Sequence, residues 1–229
     1  MTRLGRSWRV VLVALAAAGL AAAAGWVLFG SSLLAVRSVT VSGTHLVPRS
    51  EVLAASGVVP GTPLIRVNTA RAAARIEKIS QVSSAQVTRS WPNRLVIVVR
   101  ERTPALALTA PSGGYDLVDA DGVVVRWAAA RPAGLPLYST LVPAGALRGD
   151  PGLAAAAAVL GELPAAVRPS VTSVSAPEPD QVTVRLAGGI TVLWGDTGRA
   201  RVKARELTVL MQAHMRYYDV SGSGSVAAR

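Results

Sequence analysis

Residues 89–102 read Arg89-Ser90-Trp91-Pro92-Asn93-Arg94-Leu95-Val96-Ile97-Val98-Val99-Arg100-Glu101-Arg102, and this stretch decides the fold. Leu95, Ile97 and Val99 alternate with Val96, Val98 and Arg100, the period of two that sends successive side chains to opposite faces of a strand. Both sets are largely apolar, so the strand over 95–102 is expected to be buried on much of both faces. A partner strand is expected over 85–90, joined to it by Trp91-Pro92-Asn93-Arg94, where Pro and Asn suit the centre of a turn.

Upstream of this hairpin, the stretch 34–41 ends in the alternation of Val39 and Val41 and stops at Ser42-Gly43, the pattern of a strand. Pro48-Arg49-Ser50-Glu51 opens a short helix, with proline where a missing N–H costs nothing and Glu51 favourable near the dipole. Gly57 suits its end. Asn68 or Thr69 caps a second helix running through Ile79, with Arg71, Arg75 and Lys78 on a solvated face. Strand, helix, helix, strand, strand gives a compact α+β unit over 34–102.

Downstream, residues 103–221 are β-rich. Tyr115-Asp116-Leu117-Val118 and Val123-Val124-Val125 flank Asp119-Ala120-Asp121-Gly122, a hairpin signal. The proline-rich segment 132–143 reads as a loop and 151–167 as an alanine-rich helix. Strands are expected over 171–174, 182–186 and 190–194, the last two joined across Gly188-Gly189. A helix over 199–215 carries Val202, Leu207, Leu210 and Met211 as its buried stripe. Residues 216–221 form a closing strand, and Gly222-Ser223-Gly224-Ser225 starts a flexible tail over 222–229.

At the other end, residues 10–29 hold twenty residues without a charge, long enough as a helix to span roughly 30 Å of hydrocarbon. Val10, Val11, Leu12, Val13, Leu15, Leu20, Val27, Leu28 and Phe29 together favour insertion by about 3–5 kcal/mol at most. Arg3, Arg6 and Arg9 precede the run and no acidic residue occurs before Glu51. This bias places a basic tail over 1–9 in the cytoplasm and the bulk of the chain outside. Trp8 and Trp26 sit near the two ends. The alternative is a cleaved signal peptide with small residues at 21–24, but the apolar run continues past that point through Trp26-Val27-Leu28-Phe29.

The 229 residues carry a formal charge of +11. From residue 37 onward, 21 Lys and Arg face 13 Asp and Glu, a net of +8. A basic domain outside the membrane meets no nucleic acid; anionic wall polymers, lipid head groups or acidic partner surfaces are its available counterparts, and solubility alone is an equal reading. With no cysteine, disulfides and thiolate chemistry are excluded.

Parts of a catalytic site are scarce. Only His45 and His214 occur, far apart and without zinc-ligand spacing. GxSxG, SxxK, HExxH and P-loop patterns are missing, so no enzyme activity, cofactor or metal is expected. Gly222 to Ala227 formally matches a dinucleotide fingerprint with no helix after it to receive a pyrophosphate. Asp119 and Asp121 fit a hairpin better than a calcium loop, which would need a later glycine and a glutamate. Arg199, Arg201, Lys203 and Arg205 crowd the first turns of the last helix, where its dipole disfavours cations. They read either as a solvated face or as a partner surface.

The run Arg89-Ser90-Trp91-Pro92-Asn93-Arg94-Leu95-Val96-Ile97-Val98-Val99-Arg100-Glu101-Arg102-Thr103-Pro104-Ala105 closely resembles the signature that ends the POTRA domain of the bacterial cell-division family FtsQ (DivIB). Val39-Thr40-Val41-Ser42-Gly43, Tyr115-Asp116-Leu117-Val118-Asp119 with Gly122, Leu135-Pro136-Leu137, Trp194-Gly195, Lys203 with Leu207, and Asp219-Val220-Ser221 fall in family order. Ile79-Ser80-Gln81-Val82 and Gly222 to Val226 depart from it. The resemblance implies one transmembrane helix, a POTRA domain over 34–102, an FtsQ-type β-rich domain over 103–221, and a scaffold at the division septum without catalysis. It implies partners FtsB (DivIC) and FtsL outside the membrane and, through them, the septal synthase pair FtsW and FtsI. The partner strand would add to a sheet edge at Arg216, Tyr217, Tyr218, Asp219, Val220 and Ser221, with Tyr218 and Val220 supplying affinity unless both pack inward. The rival reading is another POTRA-bearing factor of envelope assembly or secretion.

Overall fold

The computed structural model describes residues 4–30, 32–222 and 227–228. The chain divides between Glu101 and Arg102 into two compact units.

Unit 1 begins with helix α1, Leu4–Gly30, 27 residues long. Trp8 and Trp26 near its ends are exposed. Among the described residues no helix is long and apolar enough to cross a membrane. The span expected over 10–29 is therefore found as helix but not supported as a membrane crossing.

The rest of unit 1 follows the expected order: β1 (Ser38–Ser42), α2 (Arg49–Ser56), α3 (Thr69–Ile76), β2 (Val82–Ser90) and β3 (Arg94–Glu101). The sheet order is β1-β3-β2, with β1 parallel and β2 antiparallel to β3. Pro48 precedes α2, and Gly57 ends it at φ 61, a left-handed conformation that suits glycine. Asn68 is the cap of α3, its side chain accepting from the Arg71 amide at 2.9 Å.

α3 ends at Ile76, three residues before the expected Ile79. There the chain turns, and the Glu77 carboxylate accepts the Ala85 amide of β2 at 3.0 Å. Leu95, Ile97 and Val99 of β3 are buried with Val52 of α2 and Ala72 and Ile76 of α3. The opposite face of β3 is open: Val98 is 42% exposed. The expected burial on both faces fails because both helices cover the same side of this sheet.

Three charged residues of the 89–105 run fasten loops. Arg89 donates to the carbonyls of Leu64 and Val67 at 2.9 and 2.7 Å. Glu101 accepts from the amides of His45, Leu46 and Val47, each at 2.8 Å through one oxygen. In unit 2, Arg102 pairs with Asp119 and, at 3.1 Å, with Asp121. Asp119 also accepts the amides of Asp121 and Val123. The two aspartates thus close the hairpin turn, as the sequence favoured.

Unit 2 contains β4 (Leu106–Thr109), β5 (Tyr115–Val118), β6 (Val124–Ala128), β7 (Leu137–Tyr138), α4 (Pro151–Glu162), β8 (Val171–Ser175), β9 (Val182–Leu186), β10 (Thr191–Gly195), α5 (Ala200–Leu210), β11 (Tyr217–Asp219) and β12 (Ala227–Ala228). They form one nine-stranded sheet in the order β12-β11-β10-β9-β8-β7-β4-β5-β6. β7, inside the segment expected as loop, is the link between halves: it runs parallel to β4 through Ala107↔Leu137 and parallel to β8. α4 begins at Pro151 under an Asp150 cap and ends at Glu162 rather than 167. Pro164 disfavours helical geometry at Leu163, which adopts ψ 144. Leu153, Ala156, Val159 and Leu160 of α4 pack into a core with Val182, Val184, Val192, Trp194 and Leu207.

Candidate functional site

The expected partner segment lies at the β10–β11–β12 end of this sheet. β11 runs parallel to β10, pairing Thr191 with Tyr217, Val192 with Tyr218 and Leu193 with Asp219. The Thr191 amide donates to the Arg216 carbonyl at 2.8 Å, and the Val220 amide to the Leu193 carbonyl at 2.9 Å. The other side of β11 is taken by β12, antiparallel, through Tyr218↔Ala228 and Asp219↔Ala227. β11 is thus no free edge. The tail expected to be flexible over 222–229 supplies its cover at Ala227–Ala228, and 223–226 and Arg229 lie outside the described residues.

Alternation along the segment divides its six residues. Tyr218 and Val220 are 1% and 0% exposed and belong to the core. The Tyr218 hydroxyl also accepts the Met215 amide at 2.8 Å. Their side chains are packed inward, the alternative to their expected role in affinity. Tyr217, Asp219 and Ser221 are half-buried and Arg216 is exposed. Asp219 accepts both the amide and the hydroxyl of Ser221, at 2.9 and 2.7 Å, which folds the strand's end back on itself.

Helix α5 places the basic run expected on one solvated face or partner surface. Arg201 and Arg205 are exposed. Arg199 donates to the Gly222 carbonyl at 2.9 Å. Lys203 is 1% exposed, and its ammonium donates to the Trp194 carbonyl at 3.1 Å, the Asp196 carbonyl at 2.9 Å and the Asp196 carboxylate at 2.8 Å. The hydrogen bond from Lys203 holds the Asp196 carboxyl below its ordinary value, helped by the Gly198 amide. The sequence reading put this lysine with the rest of the basic run on a solvated face or partner surface, and its burial went unread. Its signal was the spacing: Lys203 lies four residues before Leu207 and so shares the buried stripe, whereas Val202, assigned to that stripe, is 43% exposed.

Gly195, between the two residues that Lys203 grips, has φ 76, and a Cβ there would stand 2.7 Å from Cβ of Ser221. The end of β10 and the end of the closing strand therefore touch where only glycine fits. Elsewhere, His214 bonds the Gln212 carbonyl and the His45 amide bonds Glu101. Among the described residues no group of three His, Cys, Asp or Glu is placed to hold a metal.

A β-α-α-β-β unit followed by a mixed nine-stranded sheet, with β10 and β11 parallel near one end, defines a POTRA-bearing α+β protein. Residues 34–102 match the family model described as POTRA domain, FtsQ-type, and residues 107–221 the one described as Cell division protein FtsQ/DivIB, C-terminal. The chain is 37% identical over 212 residues to the cell division protein FtsQ of Mycobacteroides abscessus, covering 93% of this chain and 66% of the relative. It is 36% identical over 227 residues to that of Streptomyces collinus, covering 93% and 84%, and 36% identical to that of Streptomyces venezuelae, covering 96% and 83%. The chain spans just under two thirds of the length of the Mycobacteroides relative and more of the Streptomyces ones. It belongs to the FtsQ/DivIB family of cell-division proteins.

Proposed function

We propose that this chain is a non-catalytic scaffold of the divisome, anchored in the cell membrane through residues 10–29, with residues 1–9 in the cytoplasm and the two units outside. The twenty uncharged residues of that run and the three arginines before it support the anchor and its orientation. The partners are division proteins like FtsB (DivIC) and FtsL, and through them the scaffold helps recruit and control septal peptidoglycan synthesis by FtsW and FtsI.

The observation that carries the reading is the closing end of the large sheet. Nine strands terminate in one of only two residues, Ala227–Ala228. An extended partner segment at this end gains more ladder hydrogen bonds than β12 itself makes, the mode of strand addition. Arg216, Tyr217 and Asp219 supply the side chains a partner can touch, while Tyr218, Val220 and Ser221 hold the strand in place.

An N-terminal fluorescent fusion in the native host tests the proposal, since its fluorophore matures in the cytoplasm. The intact protein is expected as a band at the division site, and the pair Arg216→Glu with Tyr217→Ala, both outside the core, is expected to weaken binding of the FtsB-like partner. Uniform envelope signal with division unaffected by depletion would remove the scaffold reading. Full binding by the double variant would move the interface away from this strand.

A further inference from the structure

We infer that Lys203 is a positioning residue for the closing strands, acting from inside the sheet's end and touching no partner itself. The basic run at the start of α5 is otherwise unexplained, since cations near a helix N-terminus oppose its dipole. Two of its members are used internally. Lys203 gathers the Trp194 and Asp196 carbonyls where β10 stops, and Arg199 takes the Gly222 carbonyl where the closing segment stops. A buried ammonium carries three donors and is stable there only if they are met, and these three acceptors meet them.

The grip reaches the partner segment through two contacts. Gly195 lies between the gripped residues and against Ser221, so the path of β10's end sets where Ser221 can stand. Leu193, two residues before Gly195, accepts the Val220 amide. Releasing Trp194 and Asp196 frees both contacts, and residues 219–221 lose their fixed path. The Asp219–Ser221 bonds are too local to restore it. The positioning claim stands on these contacts alone. Its consequence for binding rests on the reading of 216–221 as the partner segment.

The test is amide hydrogen exchange on the full chain in detergent, comparing the intact protein with Lys203→Met and Lys203→Arg, alongside partner dissociation rates. In Lys203→Met, amides of 193–196 and 217–221 are expected to exchange about tenfold faster, a loss of one satisfied buried group. Amides of β4 and β5 should be unchanged, and Lys203→Arg should recover part of the protection. Partner dissociation should quicken with association unchanged, since no contacting side chain is altered. Unchanged protection at 217–221, or a loss spread evenly through unit 2, overturns the inference and leaves Lys203 an ordinary core residue. If Lys203→Met does not fold, Asp196→Asn tests the same grip from its exposed side, with the same local pattern about threefold in size. The expected exchange pattern with unaltered partner kinetics would keep Lys203 as positioning residue and reject residues 216–221 as the partner segment.

Discussion

Two loop fasteners, one from each unit, carry opposite charges. In unit 1 a carboxylate, Glu101 at the end of β3, collects three amides from residues 45–47. In unit 2 an ammonium, Lys203, collects two carbonyls and a carboxylate at the end of β10. A loop that turns its amides inward needs an anion and a strand end that turns its carbonyls inward needs a cation, so the local backbone sets the sign of the fastener. The settings differ as well. Glu101 is partly open to water and Lys203 is enclosed, so water can replace the first fastener more readily than the second.

The comparison is broken most severely at the core beneath the cation. Trp194 is fully buried, and Trp194→Ala is expected to cost about 3–5 kcal/mol in denaturant unfolding of the intact chain. The backbone carbonyl that Lys203 uses remains in that variant, so it measures packing alone. Lys203→Met follows at about 1–3 kcal/mol, less than a fully buried broken ion pair because Asp196 keeps 58% side-chain exposure and stays hydrated. Glu101→Ala is expected at about 1–2 kcal/mol, with exchange of the His45, Leu46 and Val47 amides raised most. A cost equal to that of Lys203→Met would erase the contrast between the fasteners. Asn68→Ala should cost about 1 kcal/mol through the lost cap of α3.

Acid sharpens the comparison further. Burial acts to raise the Glu101 carboxyl, but the amides of Val47, Leu46 and His45 together bring it below its ordinary value. For a carboxylate with a depressed folded value, the stability is present above the unfolded pKa and disappears as pH falls through the folded one. The advantage of the intact chain over Glu101→Gln should thus hold above about pH 4.5 and vanish in stronger acid. The same sign applies to Asp196, reduced by its exposure.

Unit 1 was more legible in the sequence than unit 2, for physical reasons. Its elements are announced locally, by Pro48 and Gly57 around α2, by the Asn68 cap, and by Leu95, Ile97 and Val99 on one face of β3. What failed there was the second face of the strand, because apolar residues such as Val98 can stay exposed once both helices lie on the other side. In unit 2, β4 and β7 were missed because they are four and two residues long, and β7 owes its state to two parallel partners, β4 and β8, far along the chain. The closing segment was placed correctly as strand, but β12 was read as tail since Ala227-Ala228 carries no strand signal of its own. Lys203 was hidden for a different reason. A cation in a basic run on a helix is normally solvated, and only the two carbonyls and the carboxylate waiting at the end of β10 make burial favourable.

The scaffold account is tested most directly by amide exchange of the full chain with and without the soluble part of the proposed FtsB-like partner. The account predicts slowed exchange at 216–221 and at Ala227–Ala228, with β4 to β6 unaffected. Binding whose protection falls only on unit 1 would contradict the closing end of the sheet as the docking edge, and no binding at all would contradict the partnership.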